Sequence, residues 1–300
     1  MFETFLQNCT LCPRKCKVDR LEGRHGYCGM DSTVRAARAA LHMWEEPCIS
    51  GKKGSGAVFF SGCGLRCCFC QNRDIAIGDS GKAITVERLA EIFLELQEKG
   101  AANLNLVTGA HYVPHIILAL DKAKEKGLKL PVVYNSSGYE NVETLRLLEG
   151  YVDIYLPDMK YMDEKLAADF SHARDYPQVS MDAIAEMVRQ TGPCRFGNDG
   201  YIQRGTIVRH LILPGHTRNS IAVLEYLHQT YGKNIFISVM NQFTPVWKNE
   251  KYPELNRKVT GREYEKVLNA AVDMGIENGY FQDGETAKES FIPAFDYEGL

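Results

Sequence analysis

Long hydrophobic runs are missing from this 300-residue chain. No stretch approaches the 18 or so consecutive apolar residues that a bilayer-spanning helix needs, so no membrane role is expected. The N-terminus, MFETFLQNCTLCPRKC, lacks the basic start and apolar core of a signal peptide, which points to the cytoplasm. An excess of either charge is also missing. The formal net charge is −3, so there is no global electrostatic footprint for nucleic acid or for an anionic membrane. Disorder is excluded for the bulk by 45% hydrophobic and 24% charged residues. A chain this long buries a large core without disulfides, as two domains or as one α/β barrel.

What the chain does have is cysteine, ten in all. Eight fall in two short windows, Cys9, Cys12, Cys16 and Cys28, then Cys63, Cys67, Cys68 and Cys70. In a reducing compartment such clusters read as metal or iron–sulfur ligands rather than disulfides. Cys48 and Cys194 stand apart and read as small buried hydrophobes.

Between and beyond these windows strand and helix patterns alternate. Residues 32–44, STVRAARAALHMW, have a helix-friendly composition, and SGKKGSG at 50–56 is a glycine-rich approach to the apolar run Ala57–Phe60. Helical spacing recurs in 86–96, 113–123, 141–149 and 219–231, with two short helices near 163–170 and 180–190. Apolar strands fall at 104–107, 131–134, 152–156, 206–213 and 235–240, and Asn198-Asp199-Gly200 suggests a hairpin tip. Thr260 and Glu263 have capping-box spacing ahead of a helix that carries Tyr264, Val267, Leu268 and Ala271 on one face. Six βα units with nearly continuous apolar strands predict a parallel sheet covered by helices. Periodicity does not say whether it curls into a partial barrel or stays open. Either way, sites collect at the C-terminal strand ends. The loop of about 19 residues after Met240 is long enough to be a lid.

Cys63-Gly-Leu-Arg-Cys67-Cys-Phe-Cys70 contains C-x3-C-x2-C at the end of the first strand. Three thiolates hold three irons of a 4Fe–4S cubane and leave the fourth iron open to a substrate or cofactor. Structural zinc prefers four closed ligands, and beyond Cys68 no fourth is obvious here.

This spacing, with Phe69 before the last cysteine, resembles the radical S-adenosylmethionine (SAM) superfamily. The run CGLRCCFCQNRD, with YNSSGY at 134–139, LPDMKY at 156–161 and VRHLILPG at 208–215, resembles the glycyl-radical-enzyme activases. Within them it is most similar to pyruvate formate-lyase-activating enzyme and its relatives with a Cys-rich N-terminus. The resemblance covers roughly 57–245. It implies a partial (βα)6 TIM-like barrel with a small N-terminal metal-binding module. It implies a 4Fe–4S cluster on Cys63, Cys67 and Cys70, with Cys68 free. It implies reductive cleavage of S-adenosylmethionine to a 5′-deoxyadenosyl radical that abstracts hydrogen from a substrate. An electron donor such as flavodoxin or ferredoxin belongs to the same expectation. The target stays open between a protein glycine, another peptide and a small molecule.

By the same resemblance, Phe69 lies near the adenine, and Asn135 and Ser137 are candidate cofactor contacts. Asp158 and Lys160 match an Asp-x-Lys near the methionine end, where a Lys ammonium pairs with a carboxylate. Arg209 matches a strand arginine able to do likewise, and Phe243 falls at an adenine-stacking position. The branch's Gly-Gly-Glu-like motif, which binds the cofactor amine, has no acid here. The matching stretch is Val107-Thr108-Gly109-Ala110-His111, with Thr108 and His111 as stand-ins. Each polar residue has a plainer reading: a solvated turn pair for Asp158 and Lys160, turn residues for Asn135 and Ser137, an exposed strand position for Arg209 and a structural role for His111.

Cys9, Cys12, Cys16 and Cys28 supply four soft ligands within 20 residues, a closed site suited to zinc or to a second iron–sulfur cluster. Residues 1–50 are thus expected to form the metal module and its connector, and 51–300 the barrel with its lid loop and last helix. A non-enzymatic iron–sulfur carrier and a zinc-based interaction module are the rival classes.

Overall fold

The computed structural model describes residues 2–282 and 293–300. The first elements are α1 (Glu3–Gln7), β1 (Val34–His42), β2 (Ser55–Phe60), α2 (Arg73–Ala76), β3 (Lys82–Ile84), α3 (Val86–Glu98), β4 (Leu104–Val107) and α4 (Val113–Glu125). Then come β5 (Val132–Ser136), α5 (Val142–Leu147), β6 (Ile154–Pro157), α6 (Glu164–Ser171), α7 (Tyr176–Thr191), β7 (Arg195–Phe196) and β8 (Ile202–Leu211). The last are α8 (Thr217–Tyr231), β9 (Phe236–Met240), α9 (Gly261–Asp273) and β10 (Gly279–Phe281).

The strand order is β10-β9-β8-β6-β5-β4-β2-β1-β3, and every pair from β2 to β10 along it is parallel. The parallel strands follow one another in sequence order with no reversal. That order belongs to a barrel rather than to a doubly wound sheet, which has a switch point. Among the described residues β10 and β3 are the free ends of the path, so the barrel is partial. This is the α/β partial barrel expected, with β10 added beyond the sixth unit.

The helices cover the outside. α3 and α4 bury Leu89, Phe93, Ile116 and Leu120 against Val58, Phe60, Leu104 and Leu106 of the sheet. α3 starts at Thr85, whose side chain accepts from Arg88 N, and α9 starts at the capping box of Thr260 and Glu263. The inside is plugged from below. Cys48 and Ile49 pack with Val133, Ile154, Leu156, Ile202 and Ile207, so Cys48 is a small core residue.

Two corrections concern local structure. Residues 34–42 are a strand, although their alanine content favours a helix. They pair antiparallel with β2 from Ala36↔Phe60 to His42↔Ser55, and with β3 on the other edge, so the ladders override propensity. The helix expected near 180–190 begins earlier, at Tyr176. The C-terminal residues also cover β1: Ala39 N donates to Glu298 O at 2.8 Å and Tyr297 N to Ala37 O at 3.1 Å.

Candidate active site

The loop after β2 carries the three cysteines to the C-terminal mouth of the barrel. Cys63, Cys67 and Cys70 line a cavity of about 250 Å³ together with Phe69, Lys160 and Arg209. Cys68 is not part of that lining; it borders an outer groove beside Arg73, Trp247 and Lys251, which Cys67 and Cys70 also reach. Trp247 Nε1 donates to its carbonyl at 3.3 Å, and its own N–H donates to Phe170 O at 2.8 Å. The loop is thereby turned so that one of four neighbouring thiols points away.

Burial pushes the Cys67 thiol up and takes the Cys70 thiol to about 12, with neighbouring thiols adding to both. Such groups stay protonated until a metal takes them as thiolates, which is how a ligand set behaves before loading. Ser171 Oγ donates to Cys67 Sγ at 2.9 Å, and Leu65 N to Cys63 Sγ at 3.4 Å. Hydrogen bonds of this kind tune iron–sulfur centres. Among the described residues, no three Cys, His, Asp or Glu side chains converge as ligands of one metal ion. Three loop thiols beside one cavity fit a cluster held by three cysteines with an iron left open.

Below the loop lies a charge network joining three strands. Arg209 Nε donates to Asp158 Oδ1 at 3.0 Å, NH1 to Glu45 Oε2 at 3.0 Å and NH2 to Asn135 Oδ1 at 2.6 Å. Lys160 Nζ donates to Asp158 Oδ2 at 2.5 Å. Glu45 Oε1 accepts from Asn105 and Asn135, each at 3.1 Å. The charged side chains are 9–16% exposed, too dry for solvated turn residues. Burial opposes charge on Asp158, but Lys160 and Arg209 outweigh it and hold the carboxyl below its usual range. Burial likewise opposes charge on Lys160, and Asp158 overcomes it, keeping the ammonium protonated.

Tyr176 fixes this corner. Its hydroxyl lies 2.8 Å from Ser137 O and 2.9 Å from Asp158 O, and it accepts from Lys160 N at 3.0 Å. Gly138 lets the two loops meet: at φ +75°, a Cβ there would sit 2.1 Å from Asp158 O.

The other expected residues fall as follows. Phe69 lines the cavity, 6.3 Å from the Phe170 ring and 6.0 Å from that of Phe243. Phe243 is 2% exposed and packs behind Phe69 with Leu65, Tyr161 and Phe170, so it supports the cavity wall. Thr108, at φ +61°, and Ser137 line the cavity too. His111 is buried with Nε2 2.7 Å from Ser61 O, and burial followed by Arg20 lowers its pKa to about 3, a structural histidine. Glu45 was not foreseen. It follows β1, in a segment whose composition reads as helix, and no motif marks it. Its neighbour Glu46 is also buried, and burial raises its pKa against the pull of Arg209.

The N-terminal cysteines lie against the same loop. Cys12 and Cys28 line a second small cavity with Cys63, Thr108, Ser137 and Glu140. Burial takes the Cys12 thiol to about 12, with Cys28, Cys9 and Cys16 adding to the rise. Arg14 clamps the two segments, its Nε donating to Gly64 O at 2.8 Å, NH1 to His172 O at 2.5 Å and NH2 to Ser171 O at 3.1 Å.

Residues 57–227 match the radical SAM superfamily. An uncharacterised protein of Methanocaldococcus jannaschii is 30% identical over 286 residues, 92% of this chain and 77% of that protein. The pyruvate formate-lyase-activating enzyme of Clostridium pasteurianum is 30% identical over 112 residues, 36% of this chain and 46% of that enzyme. Among solved structures, Streptococcus suis SuiB bound to its precursor peptide SuiA superposes with a TM-score of 0.46 at 13% identity, over 73% of this chain and 46% of SuiB. The match thus spans less than half the length of the activating enzyme and of SuiB. The chain belongs to the radical SAM superfamily, enzymes that use an iron–sulfur cluster and bind S-adenosylmethionine.

Proposed function

We propose that the chain cleaves S-adenosylmethionine reductively at a 4Fe–4S cluster held by Cys63, Cys67 and Cys70, and that it does so as an activating enzyme acting on a protein or peptide. Cys63, Cys67 and Cys70 would hold the cluster, which would supply the electron for reductive cleavage of the cofactor and so the radical chemistry that acts on the substrate. The observation that carries this reading is one cavity lined by the three thiols of C-x3-C-x2-C and by the Asp158–Lys160–Arg209 network.

The chain's own residues then have distinct tasks. Lys160 has two donors left after Asp158 and is the group to pair with the cofactor's carboxylate. Arg209 gives one N–H from each nitrogen to Asp158, Glu45 and Asn135 and keeps two, so it holds these residues in place and can join Lys160 at the carboxylate. Phe69, backed by Phe243, offers a ring face to the adenine. Thr108 and Ser137 lie where a backbone carbonyl or hydroxyl can take the amine. The mouth loop and the segment after Met240 exclude water from the radical. The activase assignment draws on the similarity to the Clostridium pasteurianum enzyme over 112 residues. In this reading the metal module is the segment ahead of β1, and β1 with the plug that follows it belongs to the barrel. A flavodoxin- or ferredoxin-type carrier supplies the electron, and the cytoplasm is the compartment that keeps the thiols reduced.

The test is anaerobic reconstitution with iron and sulfide, reduction with dithionite and assay for 5′-deoxyadenosine. Formation of 5′-deoxyadenosine in step with cofactor loss is expected. Its absence from a protein whose cluster is reduced by electron paramagnetic resonance (EPR) would refute the reading.

A further inference from the structure

The N-terminal cysteines do not sit apart from the barrel. Cys12 Sγ lies 3.8 Å from where a Cβ on Gly64 would be, the residue after Cys63. Cys12 and Cys28 share with Cys63 the lining of a cavity of about 20 Å³, room for about one water. One thiol of the loop and two of the N-terminal set thus border the same gap.

The surroundings of the thiols favour buried negative charge. Tyr27 N donates to Cys16 Sγ at 3.2 Å, an N–H···S bond that favours the reduced, more negative form of a cluster. Arg20 is fully buried, its NH1 donating to His111 O at 2.6 Å and its Nε to Asp31 O at 3.0 Å. A guanidinium placed there without a carboxylate partner in those bonds offsets a buried negative group. Arg14 stacks 4.1 Å over Tyr27 while it clamps Gly64, so one side chain joins the segments that carry the two thiol sets.

We infer that Cys9, Cys12, Cys16 and Cys28 bind a second 4Fe–4S cluster that passes electrons to the cluster on Cys63, Cys67 and Cys70. This rests on the function proposed above. The step moves one electron and breaks no bond. A low-potential one-electron carrier is oxidised, the N-terminal cluster is reduced, and it is reoxidised as the Cys63 cluster takes the electron. The contact loop Cys63-Gly64 and the Cys12–Cys28 side of the second site form the bridge.

The full chain, reconstituted anaerobically, decides it by metal content and spectroscopy. About eight irons and eight sulfides per chain are expected, four for each cubane, without stoichiometric zinc. About four irons with one zinc, or about four irons alone, overturns the inference. Reduced with dithionite, two clusters this close should give a broadened, spin-coupled EPR spectrum. Two independent signals overturn the relay. Cys16→Ser should lose about half of the iron and leave one uncoupled signal that S-adenosylmethionine still perturbs. Mixed with a reduced protein carrier, that variant should fill its remaining signal at least tenfold more slowly than the unaltered chain, while dithionite fills both alike. Equal rates with the carrier also overturn the relay. Where Cys16→Ser does not fold, the iron count and the coupled signal of the unaltered chain decide. Eight irons without 5′-deoxyadenosine would sink the proposed function, whereas four irons with 5′-deoxyadenosine would sink this inference alone.

Discussion

Arg209 NH1 donates to Glu45 Oε2 at 3.0 Å, joining residues 164 positions apart across the inside of the barrel. The bond ties the plug segment that follows β1 to the strand carrying the arginine. It also commits NH1 of Arg209 to a partner within the protein. The buried end of the cavity is therefore preorganised before any ligand arrives.

Glu45→Ala should destabilise the fold by roughly 1.5–3 kcal/mol, the range for a hydrogen bond to a charged group. It leaves Asn105 and one guanidinium nitrogen without their acceptor. Urea unfolding measures this, and an unchanged midpoint and slope would return Glu45 to the role of a solvated loop residue.

Cys63→Ala, Cys67→Ala and Cys70→Ala should each abolish 5′-deoxyadenosine formation, whereas Cys68→Ala should keep most of it. The reason is the turn of the loop, which puts Cys68 in the outer groove beside Trp247 and the other three at the cavity. Comparable loss at Cys68 would mean that the ligand set is wrong.

Lys160→Ala should weaken S-adenosylmethionine binding by roughly 1.5–3 kcal/mol. Calorimetry on the reconstituted protein reads it. Unchanged affinity would leave Lys160 as a partner of Asp158 only.

Glu140 gives a pH signature. Burial takes its carboxyl from 4.5 to about 8, against hydrogen bonds from Ser136 and Tyr134. The folded value lies above the unfolded one, so the unfolded chain gives up this proton first. The stability that depends on neutral Glu140 is full below about pH 4.5 and is lost as pH rises through about 8. Urea unfolding across that window should show the decline, and Glu140→Gln should flatten it. An equal slope in both proteins would place the carboxyl's titration elsewhere.

Much of this was legible in the chain. C-x3-C-x2-C names its chemistry because three thiolates on one tight loop need no distant partner, and Asp158 and Lys160 lie two residues apart on one strand end. The alternating apolar segments fixed the βα units, because side-chain period is a local property. Three things needed the tertiary structure. The alanine-rich segment 34–42 became β1 only because β2 and β3 offered it backbone partners on both edges. Glu45 became a site residue only because that strand delivers the plug segment into the barrel, where Arg209, Asn105 and Asn135 wait from three other strands. The spacing of the N-terminal cysteines makes them candidate metal ligands, but their contact with the Cys63 loop runs through Arg14 and the close approach of Cys12 to Gly64. Spacing along a chain determines which ligands close one site. Which sites then touch depends on packing between segments far apart in sequence, and only the folded chain decides that.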